Sequence, residues 1–415
     1  MIRERLLHAT GPGGLAVWLA PKPRLTEKLA LLAVDYGAND LVIPDGKGRR
    51  RTPPGIAHFL EHTLFETAKG NASDLFSTRG AYSNAFTDNT GTGYLFSSPD
   101  RWRENLDLLL DFVFHPPFPP AKVEKERGII LQELRMYRDS PSSRLSENLQ
   151  RALYRKHPVR LDIGGTLASV RAIRRDDLVA CHDAFYAPSN ACLVAVGALR
   201  MDDLLETAAR RVPVRRHPRP PHVLPHEPAA MARRKVSVRL EVAQPQLLLG
   251  FKDIHPPEEG PAMLRRRISV GLCLSLMFDR SAPLYGTLYD AGLIDEDFGG
   301  GYTAERGFAY AAVGGKTRDP EALTRRLLKG MAEARRRGFR AEDLARAKRK
   351  SLGAFIRLFD HPQALAPAMA AAHFLGLPLL DYPKHLKACG MDEVRAALDG
   401  PLAEAGHAVS IVWPR

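Results

Sequence analysis

His58, Glu61 and His62 stand in the order H-x-x-E-H within Pro54-Gly55-Ile56-Ala57-His58-Phe59-Leu60-Glu61-His62-Thr63-Leu64-Phe65. The histidines are four residues apart, which places them one turn apart on one face of a helix. Two imidazoles converging in this way can hold zinc, at about 2.0–2.1 Å each. Glu61 shares that side of the helix. A carboxylate there can take the proton of a water whose pKa a bound metal has lowered to about 7. Taken alone, the pattern is also what two helical histidines and a surface glutamate would give.

A second stretch changes that balance: Glu124-Lys125-Glu126-Arg127-Gly128-Ile129-Ile130-Leu131-Gln132-Glu133-Leu134-Arg135-Met136. Glu126 and Glu133 are two helical turns apart and share a face. Zinc held by two histidines needs a third protein ligand and keeps a fourth position open for water. Glu133 is the candidate ligand, and Glu126 is a candidate for orienting a ligand from behind. Without His58 and His62, the same helix reads as a solvated charged face around an Ile/Ile/Leu stripe.

Other elements must position these side chains. Phe59, Leu60 and Leu64 give the histidine helix an apolar flank, and Pro54-Gly55 marks the turn into it. Upstream, residues 15–21 and 29–38 read as short strands, followed by a polar loop. Downstream come a helix over 72–78, a strand through Asn84, a strand at 94–96 and a helix over 102–114. The proline run 116–120 stops that helix, and the glutamate helix begins. Further helices fit 145–154 and 176–185, and the continuous apolar run 191–196 reads as a buried strand. In the second half, strands fit 236–240, 246–251, 308–315 and 408–413. Helices fit 263–277, 321–336 and 341–359.

At 415 residues, the chain fits about two domains. The expected division is a zinc-bearing domain over 1–211, a Pro/Arg-rich linker over 212–235 and a second domain over 236–415. The linker holds His217, His222 and His226, for which no fixed ligand geometry is expected. Apolar content of 45% and charged content of 26% are those of a soluble globular protein. The net charge of +13 comes without a nucleic-acid-binding signature. It reads as a solvated surface that would favour acidic substrates or an acidic partner. Cys181, Cys192, Cys273 and Cys389 form no C-x-x-C pair, as buried free thiols of a reducing cytosol would not. There is no apolar leader and no run of eighteen apolar residues, so the expectation is a cytoplasmic protein without a membrane span.

These motifs resemble those of the pitrilysin, insulin-degrading enzyme and mitochondrial processing peptidase family. That family pairs H-x-x-E-H with a downstream glutamate inside an E-R-E-type helix, at an interval this chain matches with Glu133. Between them it has a strand like Gly80-Ala81-Tyr82-Ser83-Asn84-Ala85-Phe86-Thr87 and then Thr92-Gly93-Tyr94. His157-Pro158-Val159, Gly164-Gly165-Thr166 and Tyr186-Ala187-Pro188-Ser189-Asn190-Ala191 also match. The flavour is that of the bacterial branch of half-length chains, often encoded as unequal pairs.

The resemblance implies an α+β fold of two similar α/β halves, each a mostly antiparallel sheet backed by helices, the second half inactive. It implies a zinc endopeptidase with His58, His62 and Glu133 as ligands, Glu61 as the base and Glu126 behind the ligands. Asn84, Ala85 and Phe86 would bind substrate along an edge strand. It further implies an arginine and a tyrosine from a second-half stretch like L-R-E-x-x-G-L-A-Y. Here Leu288-Tyr289-Asp290-Ala291-Gly292-Leu293-Ile294-Asp295 puts Tyr289 and Asp295 in their places. Tyr302, Arg306 and Tyr310 are near but out of register. The expected partner is therefore a homologous, zinc-free subunit in a heterodimer, with a homodimer as the alternative. Rival functions are a processing subunit for one peptide or modified protein, a non-catalytic chamber subunit, and a basic nucleic-acid-binding protein.

Overall fold

The apolar runs at 29–34 and 191–196 are what strands covered on both faces require, and both run through the middle of one sheet. The computed structural model describes residues 4–45, 48–214 and 218–415. Along the first part of the chain lie β1 (Leu7–Thr10), β2 (Ala16–Pro21), β3 (Lys28–Val34) and a small hairpin of β4 (Val42–Asp45) and β5 (Gly48–Arg51). A short pair follows, β6 (Glu66–Thr67) and β7 (Gly70–Asn71), and then β8 (Tyr82–Thr87), β9 (Thr92–Ser98) and β10 (Ala191–Gly197). The main sheet has the order β1-β2-β10-β3-β9-β8. β2 and β10 are parallel, and every other pairing in it is antiparallel.

The later part of the chain builds a second sheet from β11 (Lys235–Leu240), β12 (Gln246–Lys252), β13 (Gly299–Glu305), β14 (Phe308–Lys316) and β15 (His407–Pro414). Its order is β11-β15-β12-β14-β13, with β11 and β15 parallel and the rest antiparallel. Set β2, β3, β8, β9 and β10 beside β11 to β15, and both sheets run first, last, second, fourth, third. The direction of every pairing matches as well. The two sheets are copies of one topology, and β8 and β13 occupy the same edge.

The chain divides into two compact units that interleave in sequence. One takes Met1–Leu134, Asp162–Leu224 and Ile356–Phe374; the other takes Arg135–Leu161, Pro225–Phe355 and Leu375–Arg415. These units differ from the contiguous blocks 1–211 and 236–415, for a packing reason. A sheet with one bare apolar face must be covered, and each sheet takes a covering helix from a distant part of the chain. Helix Pro362–Phe374 lies on β10 and β3 of the first sheet, and helix Pro141–Leu153 lies on β15 and β12 of the second. Gly250 permits the second approach: a Cβ there would meet Leu149 Cδ1 at 2.7 Å.

Residues 212–214 and 218–234 carry neither helix nor strand, and His217 lies outside the described residues. His222 does have a fixed geometry, which the proline-rich composition did not suggest. Its Nδ1 lies 2.7 Å from Asp40 Oδ1 and its Nε2 3.3 Å from Asp35 Oδ2. Burial pushes its pKa down, but the two carboxylates outweigh burial and hold it up at about 9. The four cysteines are buried and unpaired. Among the described residues no single helix is long and apolar enough to cross a membrane.

Candidate metal centre

Helix Ile56–Leu64 starts where the backbone allows it to. Gly55 caps it with φ 90°, a conformation that costs a side-chain-bearing residue strain. A Cβ on Gly55 would also meet the Gly164 carbonyl oxygen at 2.4 Å. Gly165, with φ 81°, returns the contact: its Cβ would lie 2.5 Å from the Pro54 carbonyl oxygen. The Gly164-Gly165 turn is thus seated directly on the start of the histidine helix. Ile56, Ala57, Phe59, Leu60 and Leu64 are buried on its inner side, which fixes its rotation.

That rotation brings the expected ligands together. Ligand atoms of His58, His62 and Glu133 all lie within 4.8 Å of one another. Glu133 Oε2 is 3.8 Å from His58 Nε2 and 3.5 Å from His62 Nε2. The two imidazole rings sit edge to face at 4.7 Å. Glu133 is half-buried, but its Oε2 atom is buried and accepts no hydrogen bond, a lone pair that is not left idle without cost. Two imidazole nitrogens, one carboxylate oxygen and an open fourth side are a donor set that suits zinc. Burial, with the neighbouring His62, pushes the His58 pKa down to about 3, so its ring is a neutral donor at ordinary pH. Among the described residues no other set of His, Cys, Asp or Glu side chains converges in this way.

Glu126 lies beside His62. Its Oε2 lies 3.3 Å from His62 Nδ1, on the side of the ring away from Glu133. A carboxylate there fixes the ring's orientation and its tautomer. Burial lowers the His62 pKa, but Glu126, Glu61 and Glu133 outweigh it and raise the value overall.

Glu61 projects from the same helix, buried at its side chain. Burial raises its pKa above the usual carboxylate range. Its Oε2 accepts a hydrogen bond of 2.6 Å from Thr87 Oγ1 on β8. Asn84, Ala85 and Phe86 lie on that same strand, at the edge of the sheet. Asn84 Oδ1 accepts from the Ala85 amide, and Phe86 lies across Gly93, where a Cβ would meet its ring at 2.5 Å. Thr87, which the motif contained without a role attached, is thus brought into contact with Glu61. Strand alternation was the available signal, since Ala85 and Thr87 share a face.

In the other unit, residues 288–295 end a short helix, Pro283–Asp290, and turn at Gly292. Tyr289 stacks on Tyr285. The Tyr302 hydroxyl donates to Asp253 Oδ2 at 2.7 Å, and the Tyr310 hydroxyl accepts from Gln150 at 3.1 Å. The Tyr302 proton is thus committed within its own unit, and Tyr310 is held there as an acceptor.

The chain is similar to known proteins over both of its halves. Residues 49–167 match the family described as insulinase (peptidase family M16), and residues 172–351 match the peptidase M16 inactive domain. The uncharacterized zinc protease YmfH of Bacillus subtilis (strain 168) is 35% identical over 100% of this chain and 98% of its own length. The mitochondrial-processing peptidase subunit beta of Bos taurus is 31% identical over 37% of this chain and 32% of its own. The crystal structure of an M16-like peptidase from Alicyclobacillus acidocaldarius superposes with a TM-score of 0.95 at 31% identity. It covers 100% of this chain and 99% of that one. Pitrilysin, at 17% identity and TM-score 0.77, shares the fold over 100% of this chain and 45% of its own. The chain belongs to the insulinase family of peptidases, peptidase family M16, and its second half matches that family's inactive domain.

Proposed function

We propose that this chain is the catalytic subunit of a zinc endopeptidase that hydrolyses unfolded peptides or small proteins. The observation that carries the reading is the convergence of His58, His62 and Glu133 beside Glu61, which is tied to an open sheet edge through Thr87. Zinc held by the first three would polarise a peptide carbonyl and acidify a water at the site. Glu61 takes the proton from the attacking water and hands it to the leaving amine. Its raised pKa suits it to both transfers. Glu126 keeps His62 facing the site. A substrate segment adds to β8 as a further strand, through main-chain hydrogen bonds that tolerate many side chains. Asn84, Ala85 and Phe86 lie beside that segment.

We further propose a zinc-free homologous partner. In the family that the motifs resemble, an arginine and a tyrosine from the inactive half bind the developing oxyanion. Tyr289 and Asp295 stand in their places here, and an aspartate repels an oxyanion. The Tyr302 hydroxyl, whose proton already goes to Asp253, supports the same reading. Four buried free thiols favour a cytoplasmic enzyme.

Metal content and hydrolysis of an unstructured peptide test the proposal together. The purified protein is expected to hold about one zinc per chain, lost in His58→Ala and His62→Ala. Glu61→Gln is expected to keep the zinc and lose hydrolysis, because an amide cannot accept the proton. A Glu61→Gln enzyme with near-normal turnover, or activity that survives a chelator, sinks the mechanism.

A further inference from the structure

Glu66 stands four residues after His62, on β6, with a side chain that is 0% exposed. A carboxylate buried that deeply costs several kcal/mol unless it is paired. It is paired twice: Oε2 lies 2.7 Å from Lys122 Nζ and Oε1 lies 2.6 Å from Lys125 Nζ. Asn71 Nδ2 adds a longer hydrogen bond of 3.4 Å. Both lysines come from Pro120–Arg138, the helix that also carries Glu126 and Glu133. One buried anion therefore ties the glutamate helix to the short strand that directly follows the histidine helix.

Lys125 is the informative partner. Its Nζ lies 2.6 Å from Glu66 but also 3.7 Å from Glu126 Oε1. The other oxygen of Glu126 is the one that meets His62 Nδ1 at 3.3 Å. Lys125 thus sits between two carboxylates and is bound to the one that does not serve the site. Burial would raise the Glu66 pKa, but Lys122, Lys125 and Asn71 outweigh it and hold it at about 2, so the anion persists at any working pH.

Resting on the zinc reading above, we propose that Glu66 is a positioning residue for the metal centre: it holds Lys125 off Glu126, and so leaves Glu126 to fix the His62 ring. Without the charge on Glu66, Glu126 becomes the nearest carboxylate to Lys125. The ammonium then draws Glu126 away from His62, and the ring loses its restraint. Both lysines are about half exposed, so neither is trapped in the core when Glu66 loses its charge.

Zinc affinity in a cycle of Glu66→Gln, Lys125→Met and the double variant tests this. Glutamine is isosteric and keeps an acceptor oxygen, which favours folding. Glu66→Gln is expected to weaken zinc binding about tenfold, the low end for partners of a ligating histidine. The visible spectrum of the cobalt-substituted protein should shift with it. Lys125→Met alone should leave both readings near wild type, and in the double variant it should restore affinity to within about twofold of wild type. An equal loss in both backgrounds, or none in either, overturns the proposal. Wild-type protein that binds no zinc removes the zinc reading and this proposal together; zinc bound equally by wild type and Glu66→Gln removes only this one. Should Glu66→Gln not fold, Glu66→Asp keeps the charge with a shorter reach. It should show a smaller loss, again relieved by Lys125→Met, and a loss that Lys125→Met leaves in place overturns the proposal.

Discussion

Thr87 Oγ1 donates a 2.6 Å hydrogen bond to Glu61 Oε2, joining the edge strand β8 to the helix of His58 and His62. The contact does two things at once. It fixes the carboxylate that we propose moves a proton, and it ties that carboxylate to the edge strand beside which substrate would lie. A hydrogen bond to a charged group contributes about 1.5–3 kcal/mol. Thr87→Ala is therefore expected to lower kcat by about 10- to 100-fold, with zinc content unchanged. Thr87→Ser, which keeps the hydroxyl, should recover most of it. Steady-state kinetics on one peptide decides the matter; equal kcat for Thr87→Ala and wild type removes the role.

Gly55 and Gly164 predict a stability effect at the same site. Ala at position 55 would carry its Cβ into the Gly164 carbonyl oxygen at 2.4 Å, in a backbone with φ 90°. Strain of this kind costs about 1–3 kcal/mol, and the clash adds to it. Gly55→Ala should lose at least about 2 kcal/mol in urea unfolding and bind zinc more weakly, since the helix start must shift. Gly128 shows open space around it and serves as the control. Gly128→Ala on the glutamate helix should be neutral or slightly stabilising. Equal stability of the two alanine variants would show that the turn does not hold the helix.

The convergence of His58, His62 and Glu133 was legible because each part of it obeys a local rule. The spacing of His58 and His62 is helical, and so is that of Glu126 and Glu133. Strands with continuous apolar runs, such as β3 and β10, were legible for the same reason. What escaped has equally local causes. β13 begins Gly299-Gly300-Gly301 and offers no alternation of side chains to read. Helix Pro362–Phe374 is alanine-rich, carries Pro367 in its interior and shows little amphipathic contrast. The interleaving of the two units depends on which sheet face a distant helix covers, and no local pattern encodes that. Glu66 reads as one more surface acid until Lys122 and Lys125 are seen around it.

His222 predicts a pH dependence of stability. Its pKa, held at about 9 by Asp40 and Asp35, lies above the value of about 6.5 expected in the unfolded chain. The folded state thus binds the proton more tightly than the unfolded state. The contribution is fully present below about pH 6.5 and is lost as pH rises through about 9. It amounts to about 1–3 kcal/mol for a pair this well buried. Urea unfolding of His222→Gln and wild type at pH 6 and pH 10 measures it. The variant should be less stable at pH 6, and the gap should close at pH 10. A gap of the same size at both values would mean that the imidazolium contributes nothing.

The isolated chain is expected to be a poor peptidase even when loaded with zinc. Hydrolysis needs a donor for the developing oxyanion as well as a base and a metal. The two positions where the resembling family carries arginine and tyrosine are occupied by Tyr289 and Asp295. Removing a donor of this kind typically costs about 100- to 1000-fold in kcat. Turnover of an unstructured peptide by the purified chain should therefore be low, and it should rise by a similar factor when the homologous zinc-free subunit is added. Asp295→Tyr with Tyr289→Arg, made together in the isolated chain, should recover part of the loss if the donors can act from their own chain. No recovery alongside strong activation by the partner would place the donors in trans. Full activity of the unmodified chain, with no partner present at any stage of purification, would refute the unequal pair.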